Sequence, residues 1–302
     1  MLLGITVGCS AVRNLPEGSI LLSKNNVIVD DQAAVDTVAN IVQPKPNNRF
    51  LGIPFGLLLY QSAKDSTDVA FDNWLTKKPG RKKRMNAIWS EKQLKKMKAY
   101  KNGFQAWKRK TGEAPVLSDS ISTAINAQKL KAFFSNEGYF NAVVKTMVST
   151  KKRNAAVNYN VSTNTPYFID SIQANIQSPV LDSIYEANKV NSKLKQGDRF
   201  RTTAFEQERN RLSAMFRNAG VYPFQLNSID FSVGVDSTGT DYRLPVQLNI
   251  RNYIENQEGN PVPKEYKISK MNTVAIFLGK AGNNGNEAYD SIGVFEGMTV
   301  FS

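Results

Sequence analysis

The chain has 302 residues, enough for about two domains, and carries a formal net charge of +13. Its 41% hydrophobic and 22% charged residues exclude wholesale disorder and collagen-like repetition. It has no histidine and one cysteine, which excludes serine–histidine and cysteine–histidine catalytic groups, histidine-ligated zinc and disulfide scaffolds. Two acidic pairs, Asp30–Asp31 and Glu206/Glu208, are interpreted as a helix N-cap and as solvated charges. We therefore expect neither an enzyme nor a site for a metal or another cofactor.

The N-terminus combines a short apolar run with the single cysteine. Residues 1–8 are mostly apolar and end in Gly8 before Cys9, after which the sequence turns polar. This order is typical of the end of a bacterial lipoprotein signal, in which the cysteine thiol is acylated, although no positively charged region precedes it. We interpret residues 1–18 as a signal remnant and linker whose start lies upstream, with lipid attachment at Cys9. The alternative is a free thiol without a role.

No segment predicts a transmembrane helix. The most apolar stretch, Leu51–Tyr60, contains Pro54 and has about ten residues, whereas about 20 are needed to span a bilayer. Membrane attachment is therefore expected only through lipid or through a surface helix.

The first part of the chain predicts a strand, a helix and then a long insertion. The strand is predicted at Ile20–Val29 and the helix at Asp31–Val42, whereas the next helix of the pattern starts only at about Asn126. The residues from about 43 to 115 form the insertion, which includes a further predicted helix at Ser66–Leu75.

The positive charge is concentrated in this insertion. Between Lys77 and Lys110 there are fourteen lysine and arginine residues against a single acid, Glu91, so the rest of the chain is neutral. From Ser90 to Lys110, apolar residues recur at spacings of three and four, which predicts one face of a helix. That stripe consists of Leu94, Met97, Tyr100 (or Lys101), Phe104 and Trp107.

Lysine and arginine occupy most of the rest of this helix, a composition typical of a helix that lies on anionic lipid. The alternatives are a core-packed helix with a solvated basic face and a nucleic-acid surface. No nucleic-acid-binding motif accompanies the charge, so nucleic acid is the less favoured partner. The candidate residues for an anionic membrane surface are Lys92, Lys95, Lys96, Lys101, Trp107 and Lys108.

The chain contains a repeat. Leu130–Phe140 aligns without a gap over Leu212–Tyr222, with leucine, alanine, phenylalanine, asparagine and glycine at the same places. The apolar residues of each copy form one helical face. Gly138 or Gly220 then ends the helix, at a position that needs a positive φ.

Each repeated helix leads into a predicted β-hairpin with alternating side chains. The first hairpin joins Ala142–Val148 to Ala155–Val161 through the basic turn Lys151–Arg153. The second joins Ser228–Val235 to Tyr242–Ile250.

A short strand is predicted to open each unit, at Tyr167–Ile172 and again at Tyr266–Met271, because both segments share Tyr-x-Ile-x-x-apolar. After the first of these come helices at about Leu181–Asn188 and about Thr203–Asn218, the second capped by Thr202 or Thr203. The order β-α-α-β-β predicts an α+β fold of tandem small domains, each a three-stranded sheet packed on two helices.

The repeated pattern resembles a known family. A Tyr-x-Ile-x-x-Ile strand (Tyr167–Ile172), a basic residue and glycine before a second helix, and the helix end at Leu130–Phe140 are similar to the POTRA domains of the BamA/TamA outer-membrane assembly family. Three segments more narrowly resemble its lipoprotein-anchored TamA-like members: Val12–Gly18, Leu21–Asn25 and Gly52–Leu57. The resemblance covers nearly all of the chain.

The resemblance implies a periplasmic arm, lipid-anchored at the periplasmic face of the outer membrane, that receives outer-membrane client polypeptides or scaffolds a periplasm-spanning partner protein. Family members also carry a C-terminal β-barrel, and residues 266–302 are too few for even eight strands of about ten residues. We therefore expect no membrane barrel in this chain. The expected POTRA-like domains are 19–166, 167–256 and an incomplete third domain at 262–302.

The strands directly after the repeated helices, Val143–Val148 and Ile229–Val235, are expected at sheet edges, where an extended peptide can add by β-augmentation. Both lack proline and carry one charge each. Proline at Val144 or Ser232 is expected to delete one backbone donor from the edge. The candidate client-binding residues are Val143, Val144, Val148, Ile229, Phe231 and Val233.

The sequence also allows other interpretations. An unprotected edge also suits aggregation or a buried contact with a partner domain. For the whole chain, the alternatives are a stand-alone envelope lipoprotein adaptor, or a basic nucleic-acid-binding protein if the Cys9 signal is spurious.

Overall fold

The computed structural model describes residues 11–12, 14–30, 32–64, 67–235, 241–257 and 259–270, with the backbone alone at 33, 67–68, 275–277, 291–295 and 298–301. Cys9 lies outside the described residues. The chain divides into two compact units, unit 1 (Met1–Pro166) and unit 2 (Tyr167–Ser302), and the division falls where the second predicted repeat opens. The predicted α+β class with small sheets is confirmed.

Unit 1 holds four strands and six helices among its described residues. They are β1 (Leu21–Val29), β2 (Gln32–Ala33), α1 (Asp36–Ala39), α2 (Phe55–Gln61), α3 (Thr67–Thr76), α4 (Arg81–Ile88), α5 (Glu91–Thr111), α6 (Ser120–Asn136), β3 (Val143–Lys151) and β4 (Asn154–Ser162). The strand order is β2-β1-β4-β3, with β1 parallel and β3 antiparallel to β4.

One face of the unit 1 sheet carries the core. β4 alternates between half-buried and buried residues, because only one face of the sheet is covered. Its buried residues Val157, Tyr159 and Val161 pack in one cluster with Leu130 and Phe134 of α6.

The insertion folds into a helical module. Both α2 and α3 contact α5. Among the described side chains of these three helices, Leu57, Phe71 and Leu94 are buried. α5 begins with a capping box in which Ser90 and Gln93 exchange hydrogen bonds between side chain and backbone. The predicted helices near α3 and α5 are confirmed, whereas the sequence pattern does not predict α4.

Unit 2 repeats the β-α-α-β-β order. The five elements in this order are β5 (Phe168–Ile176), α7 (Pro179–Asn188), α8 (Thr202–Asn218), β6 (Ile229–Val233) and β7 (Arg243–Ile250). The strand order is β5-β7-β6, with β5 parallel and β6 antiparallel to β7. These three strands are therefore paired in the same way as β1, β3 and β4 of unit 1. Both repeated helices end as predicted, because Gly138 and Gly220 have φ values of 89° and 93°.

The chain after β7 forms two further small sheets. It continues as a hairpin of β8 (Tyr253–Gln257) and β9 (Asn260–Lys264), followed by β10 (Ala275–Phe277), β11 (Ser291–Phe295) and β12 (Met298–Phe301) in the order β10-β12-β11. The predicted strand at Tyr266–Met271 is wrong over Tyr266–Lys270, which form no strand; Met271 lies outside the described residues. Tyr266 is instead buried in the core of unit 2.

The first helix of unit 1 is shorter than the predicted Asp31–Val42. β2 pairs with β1, and the Ala34 amide donates to the Val27 carbonyl (3.0 Å), which keeps the chain extended before α1. Asp30, expected at a helix cap, has a φ of 47°. Its carboxylate instead accepts hydrogen bonds from the amide and hydroxyl of Thr163 (3.0 and 2.7 Å).

Two further helix starts depend on caps. α6 begins well before the predicted Asn126, because the Asp119 carboxylate accepts hydrogen bonds from the amides of Ser122 (2.9 Å) and Ile121 (3.2 Å). These hydrogen bonds, chiefly that from Ser122, lower the pKa of Asp119. α8 has Arg201 at the N-cap position and no side-chain cap, so the predicted threonine cap is wrong.

β6 ends at Val233, before the predicted strand end at Val235, because it runs beside Pro245. The Gly234 amide donates to the Pro245 carbonyl (2.8 Å). Proline has no amide to return that hydrogen bond, so the ladder stops there.

Candidate functional site

In unit 1 the open edge of the sheet is β3. On the opposite side of the sheet, the outer side of β1 is covered at its start by the segment that precedes α6: the Leu22 amide donates to the Val116 carbonyl and the Ser118 amide donates to the Ile20 carbonyl, both at 2.8 Å. β2 pairs with the other end of β1. Within the described chain, no strand pairs with the outer side of β3.

In unit 2 the edge strand β5 is covered at its start, and the edge strand β6 is open. The segment that precedes α8 pairs with the start of β5, because the Ile169 amide donates to the Asp198 carbonyl and the Gly197 amide donates to the Ile169 carbonyl, both at 2.8 Å. Among the described strands, β6 pairs with β7 alone. Both repeats therefore leave the same edge open, the strand directly after the second helix.

The backbone groups that face outward from β3 follow from its pairing. The Asp30 amide donates to the Val161 carbonyl (2.9 Å), so Val161 turns its backbone polar groups toward β1. Its register partner Val144 therefore turns its own amide and carbonyl outward, and the direction alternates along the strand. Val143 bonds inward to β4, so only its exposed side chain is available. The outward backbone groups belong to Val144, Thr146, Val148 and Thr150.

The same reasoning applies to β6. The Gln177 amide donates to the Ile250 carbonyl (3.0 Å), so Ile250 faces β5 and its partner Ile229 faces outward. Phe231 and Val233 follow at the next two outward positions. Ser232 bonds inward to β7, so the expectation that proline at Ser232 would delete an edge donor is wrong: it would break the sheet.

The side chains at the two edges divide into exposed and core residues. On β3, Met147 and Val148 are 61% and 54% exposed. On β6, Ile229 is buried and Phe231 packs edge-on against Phe205 (5.2 Å between ring centroids), so these two candidates offer only their backbone groups. Val148 and Val233 combine an outward backbone with an accessible side chain.

The basic turn of the first hairpin has a structural role that its sequence does not indicate. Lys152 and Arg153 both have positive φ values, 46° and 60°, as a two-residue hairpin turn requires. The Arg153 guanidinium donates to the carbonyl oxygens of Val12 (3.4 Å), Leu15 (3.4 Å), Pro16 and Ser19 (3.2 Å). The chain that follows Cys9 is thereby held on unit 1.

Hydrogen bonds to Glu113 join the beginning of the insertion to its end. Its carboxylate accepts from the side chain of Asn48 (2.8 Å), from the Asn48 amide (2.9 Å) and from the side chain of Asn47 (3.4 Å). The Asn48 hydrogen bond is the main reason why the pKa of Glu113 is lowered. The Glu113 amide also donates to the Gly56 carbonyl (2.9 Å), which fixes the start of α2 beside the end of α5.

The apolar stripe predicted on α5 separates into two parts. Leu94 is buried and Met97 is half-buried, as in the core-packed interpretation. Tyr100, Phe104 and Trp107 are 78%, 47% and 50% exposed, so this part of the stripe faces solvent.

Several basic side chains of α5 contact acidic or aromatic side chains of α3 or of α5 itself. The Lys98 ammonium pairs with the Asp72 carboxylate (2.7 Å). Lys101, a candidate surface residue, lies over the ring of Phe71 (5.2 Å), and Lys108, another candidate, lies over the ring of Phe104 (4.9 Å). The candidates Lys92, Lys95 and Lys96 are exposed.

No helix in the described ranges is long and apolar enough to cross a membrane. Within those same ranges, no group of three or more histidine, cysteine, aspartate or glutamate residues is placed to hold a metal ion.

No protein-family model matches the sequence, and no curated protein matches it. Among solved structures, the chain is similar to POTRA domains 3–5 of BamA from Haemophilus influenzae, at 12% identity and a TM-score of 0.34 over 89% of this chain and 76% of that chain. It is also similar to POTRA domains 1–3 of Omp85 from Anabaena, at 11% identity and a TM-score of 0.29 over 94% and 72% of the two chains. A third similar structure is the N-terminal domain of Omp85 from Thermosynechococcus elongatus, at 11% identity and a TM-score of 0.29 over 90% of this chain and 73% of that chain. At such low identity and TM-score, these neighbours assign no partner or activity to this chain.

Proposed function

We propose that the chain is a non-enzymatic periplasmic interaction arm of an outer-membrane protein assembly factor. In this proposal it holds extended client or partner polypeptides by β-augmentation at β3 and β6. The observation that carries the proposal is the shared open edge: in both units the segment before the second helix covers the outer side of β1 or β5, and the outer side of β3 or β6 is paired with no described strand.

An extended peptide would pair with the outward amides and carbonyls of these strands. Backbone hydrogen bonds supply the affinity, and pockets for alternate side chains supply only loose selectivity. Loose selectivity suits an arm that receives many β-rich polypeptides. The sequence resemblance to POTRA domains supports the same function and the periplasmic location.

The test is proline at outward positions of both edges. The double variant Val148→Pro/Val233→Pro removes one outward amide from each edge and leaves the inward ladders intact. We expect the Kd for a fluorescent peptide of alternating apolar and polar residues to rise about tenfold, because each edge loses a backbone hydrogen bond and gains a clash. Fluorescence anisotropy measures the affinity, and circular dichroism checks the fold.

The matched control is Val148→Thr/Val233→Thr, which keeps both amides and the β-branched shape. We expect its affinity to equal that of the original chain. Unchanged affinity in a folded proline variant would show that peptides bind elsewhere on the chain.

We further propose the lipoprotein-anchored, TamA-like form of this arm, with a lipid on Cys9 at the periplasmic face of the outer membrane. The support is the Gly8–Cys9 pattern and the N-terminal segment resemblance. Fused behind a complete lipoprotein signal, the chain should incorporate labelled palmitate and fractionate with membranes, whereas Cys9→Ala should do neither. Equal labelling of both proteins would contradict the anchor.

A further inference from the structure

The insertion carries a helix that the core of unit 1 does not stabilise. α4 has no buried residue. It begins with four consecutive basic residues, Arg81–Arg84, and Ile88 and Trp89 at its end are 75% and 41% exposed. Isolated helices of this length are marginal in water, and most helices gain their stability by packing an apolar face. The composition and exposure of α4 therefore suit a helix that packs on another surface.

The exposed stripe of α5 adds aromatic side chains beside lysines. At about 100° per residue, Tyr100, Phe104 and Trp107 lie on one strip of the helix, next to the strip that contains Lys96. The rings of Phe104 and Trp107 stack at 5.7 Å. The face of α5 that packs in the module is a different one, which includes Leu94.

A third apolar feature lies at the start of α2. The amide and carbonyl groups of Phe50 and Ile53 form two hydrogen bonds of 3.0 Å, which close a tight turn. At its tip, Leu51 is 85% exposed and has a φ of 49°, a region that leucine rarely adopts. Phe50 is 69% exposed. Because the start of α2 adjoins the end of α5, this tip lies at the Trp107 end of the module.

We propose that α4, the exposed stripe of α5 and the Phe50–Leu51 tip together form a basic–aromatic surface that docks on an anionic phospholipid surface. The charge is complementary, since Lys77–Lys110 carries fourteen basic residues and one acid. Tryptophan, tyrosine and phenylalanine beside lysine and arginine are the side chains that enter the boundary between lipid headgroups and acyl chains.

The exposed aliphatic side chains favour lipid over nucleic acid. Leu51 and Ile88 cannot stack on bases, and a phosphate backbone needs only the basic residues. In a bilayer, these side chains are buried among acyl chains while the surrounding lysines and arginines meet the headgroups. The proposal is independent of the peptide-binding function, because it concerns none of the sheet edges.

Intrinsic fluorescence reports on this surface without a label. The three tryptophans of the chain, Trp74, Trp89 and Trp107, all lie in the insertion. Adding phosphatidylglycerol-containing vesicles to the full chain should shift the tryptophan emission to shorter wavelength, whereas vesicles of phosphatidylcholine alone should not. Affinity should fall at least about tenfold between about 0.01 M and 0.15 M salt, as the Debye length falls from about 30 Å to about 8 Å.

Two pairs of variants locate the contact. Lys82→Glu/Lys83→Glu should weaken vesicle flotation at least about tenfold. The control Lys267→Glu/Lys270→Glu makes the same charge change at exposed positions of unit 2 and should bind normally. Leu51→Ser/Phe104→Ser should reduce the binding that survives at the higher salt, and its control Tyr222→Ser, at a side chain 85% exposed in unit 2, should not.

Three outcomes would overturn the proposal. Equal binding to neutral vesicles would remove the role of the basic residues. Equal weakening by the control variants in unit 2 would show that total charge or total apolar surface, and not this module, is responsible. Tighter binding to duplex DNA than to anionic vesicles would assign the surface to nucleic acid.

Discussion

Replacing Glu208 by alanine is expected to lower the free energy of unfolding of unit 2 by about 3 kcal/mol, because it leaves a partly buried guanidinium without its partner. Glu208 is 2% exposed. Its carboxylate accepts two hydrogen bonds from Arg211 (2.7 and 2.8 Å) and one from the Lys193 amide (2.8 Å). Arg211 is 16% exposed, which places the expected loss near the lower end for broken buried ion pairs.

The pH dependence follows from the same contacts. Burial acts to raise the pKa of Glu208, but the hydrogen bonds and charge of Arg211 and the Lys193 amide outweigh it, so the pKa is lowered. A carboxyl group whose pKa is lower in the folded state stabilises the fold above its unfolded pKa and loses that contribution as pH falls through the folded value. The gap between the original chain and Glu208→Ala should therefore be full at neutral pH and shrink in acid.

Urea denaturation of the full chain, followed by circular dichroism, measures this effect. All the tryptophans lie in unit 1, so tryptophan fluorescence monitors that unit in the same samples. The control Glu208→Met/Arg211→Met removes both charges and should recover much of the loss. If Glu208→Ala is as stable to urea as the original chain, the ion pair contributes nothing to stability. If Glu208→Met/Arg211→Met is no more stable than Glu208→Ala, the unpaired charge of Arg211 is not the cause of the loss.

The sequence does not show that Glu208 is buried. On the helix it stands close to Glu206, and both are interpreted from the pattern as solvated charges. Glu206 is more than half exposed. The difference arises from the loop before α8, whose Lys193 amide reaches the Glu208 carboxylate. Helical periodicity carries no information about which loop packs on a helix.

The repeat predicts more of the fold than any single element does. It fixes the two helices that end at Gly138 and Gly220 and the hairpins that follow them, because the same apolar spacing and the same glycine recur. It also predicts that the strands after those helices are β3 and β6, which lie at sheet edges. The direction of each backbone group along these strands depends on register, which only the structure gives, so the sequence pattern does not distinguish Ser232, which bonds inward, from Phe231 and Val233, which face outward.

The sequence does not predict the hairpin of β8 and β9, because β9 contains two prolines. Pro261 and Pro263 would ordinarily argue against a strand. In this hairpin Pro261 pairs with Asn256, and Pro263 pairs with Ile254. Because Gln257 and Asn260 close the turn as a bonded pair, both prolines fall at positions whose amides would point away from the partner strand. A proline there removes no hydrogen bond from the ladder.

Replacing Tyr266 by alanine is expected to lower the free energy of unfolding of unit 2 by about 3–5 kcal/mol, as for other large aromatic residues removed from a core. Tyr266 is 1% exposed and lies between the rings of Phe224 and Tyr253, at 5.0 and 5.1 Å. Its hydroxyl is hydrogen-bonded to that of Ser228 (2.7 Å), and its amide donates to the Ser178 hydroxyl (2.9 Å). These contacts tie the chain after β9 to the core of unit 2.

Two further variants separate the contribution of the Tyr266 ring to stability from that of its hydroxyl group and from the effect of any substitution in this segment. Tyr266→Phe keeps the ring and loses the hydroxyl, so about 1 kcal/mol is expected. Ile268→Ala, two residues later and 50% exposed, should change stability little. The repeated Tyr-x-Ile pattern instead predicts that Tyr266 opens a third domain, in which case Tyr266→Ala would leave the urea transition of unit 2 unchanged. A shift of that transition by the alanine variant, with a small shift for Tyr266→Phe, would show that Tyr266 belongs to the domain that contains β5, β6 and β7.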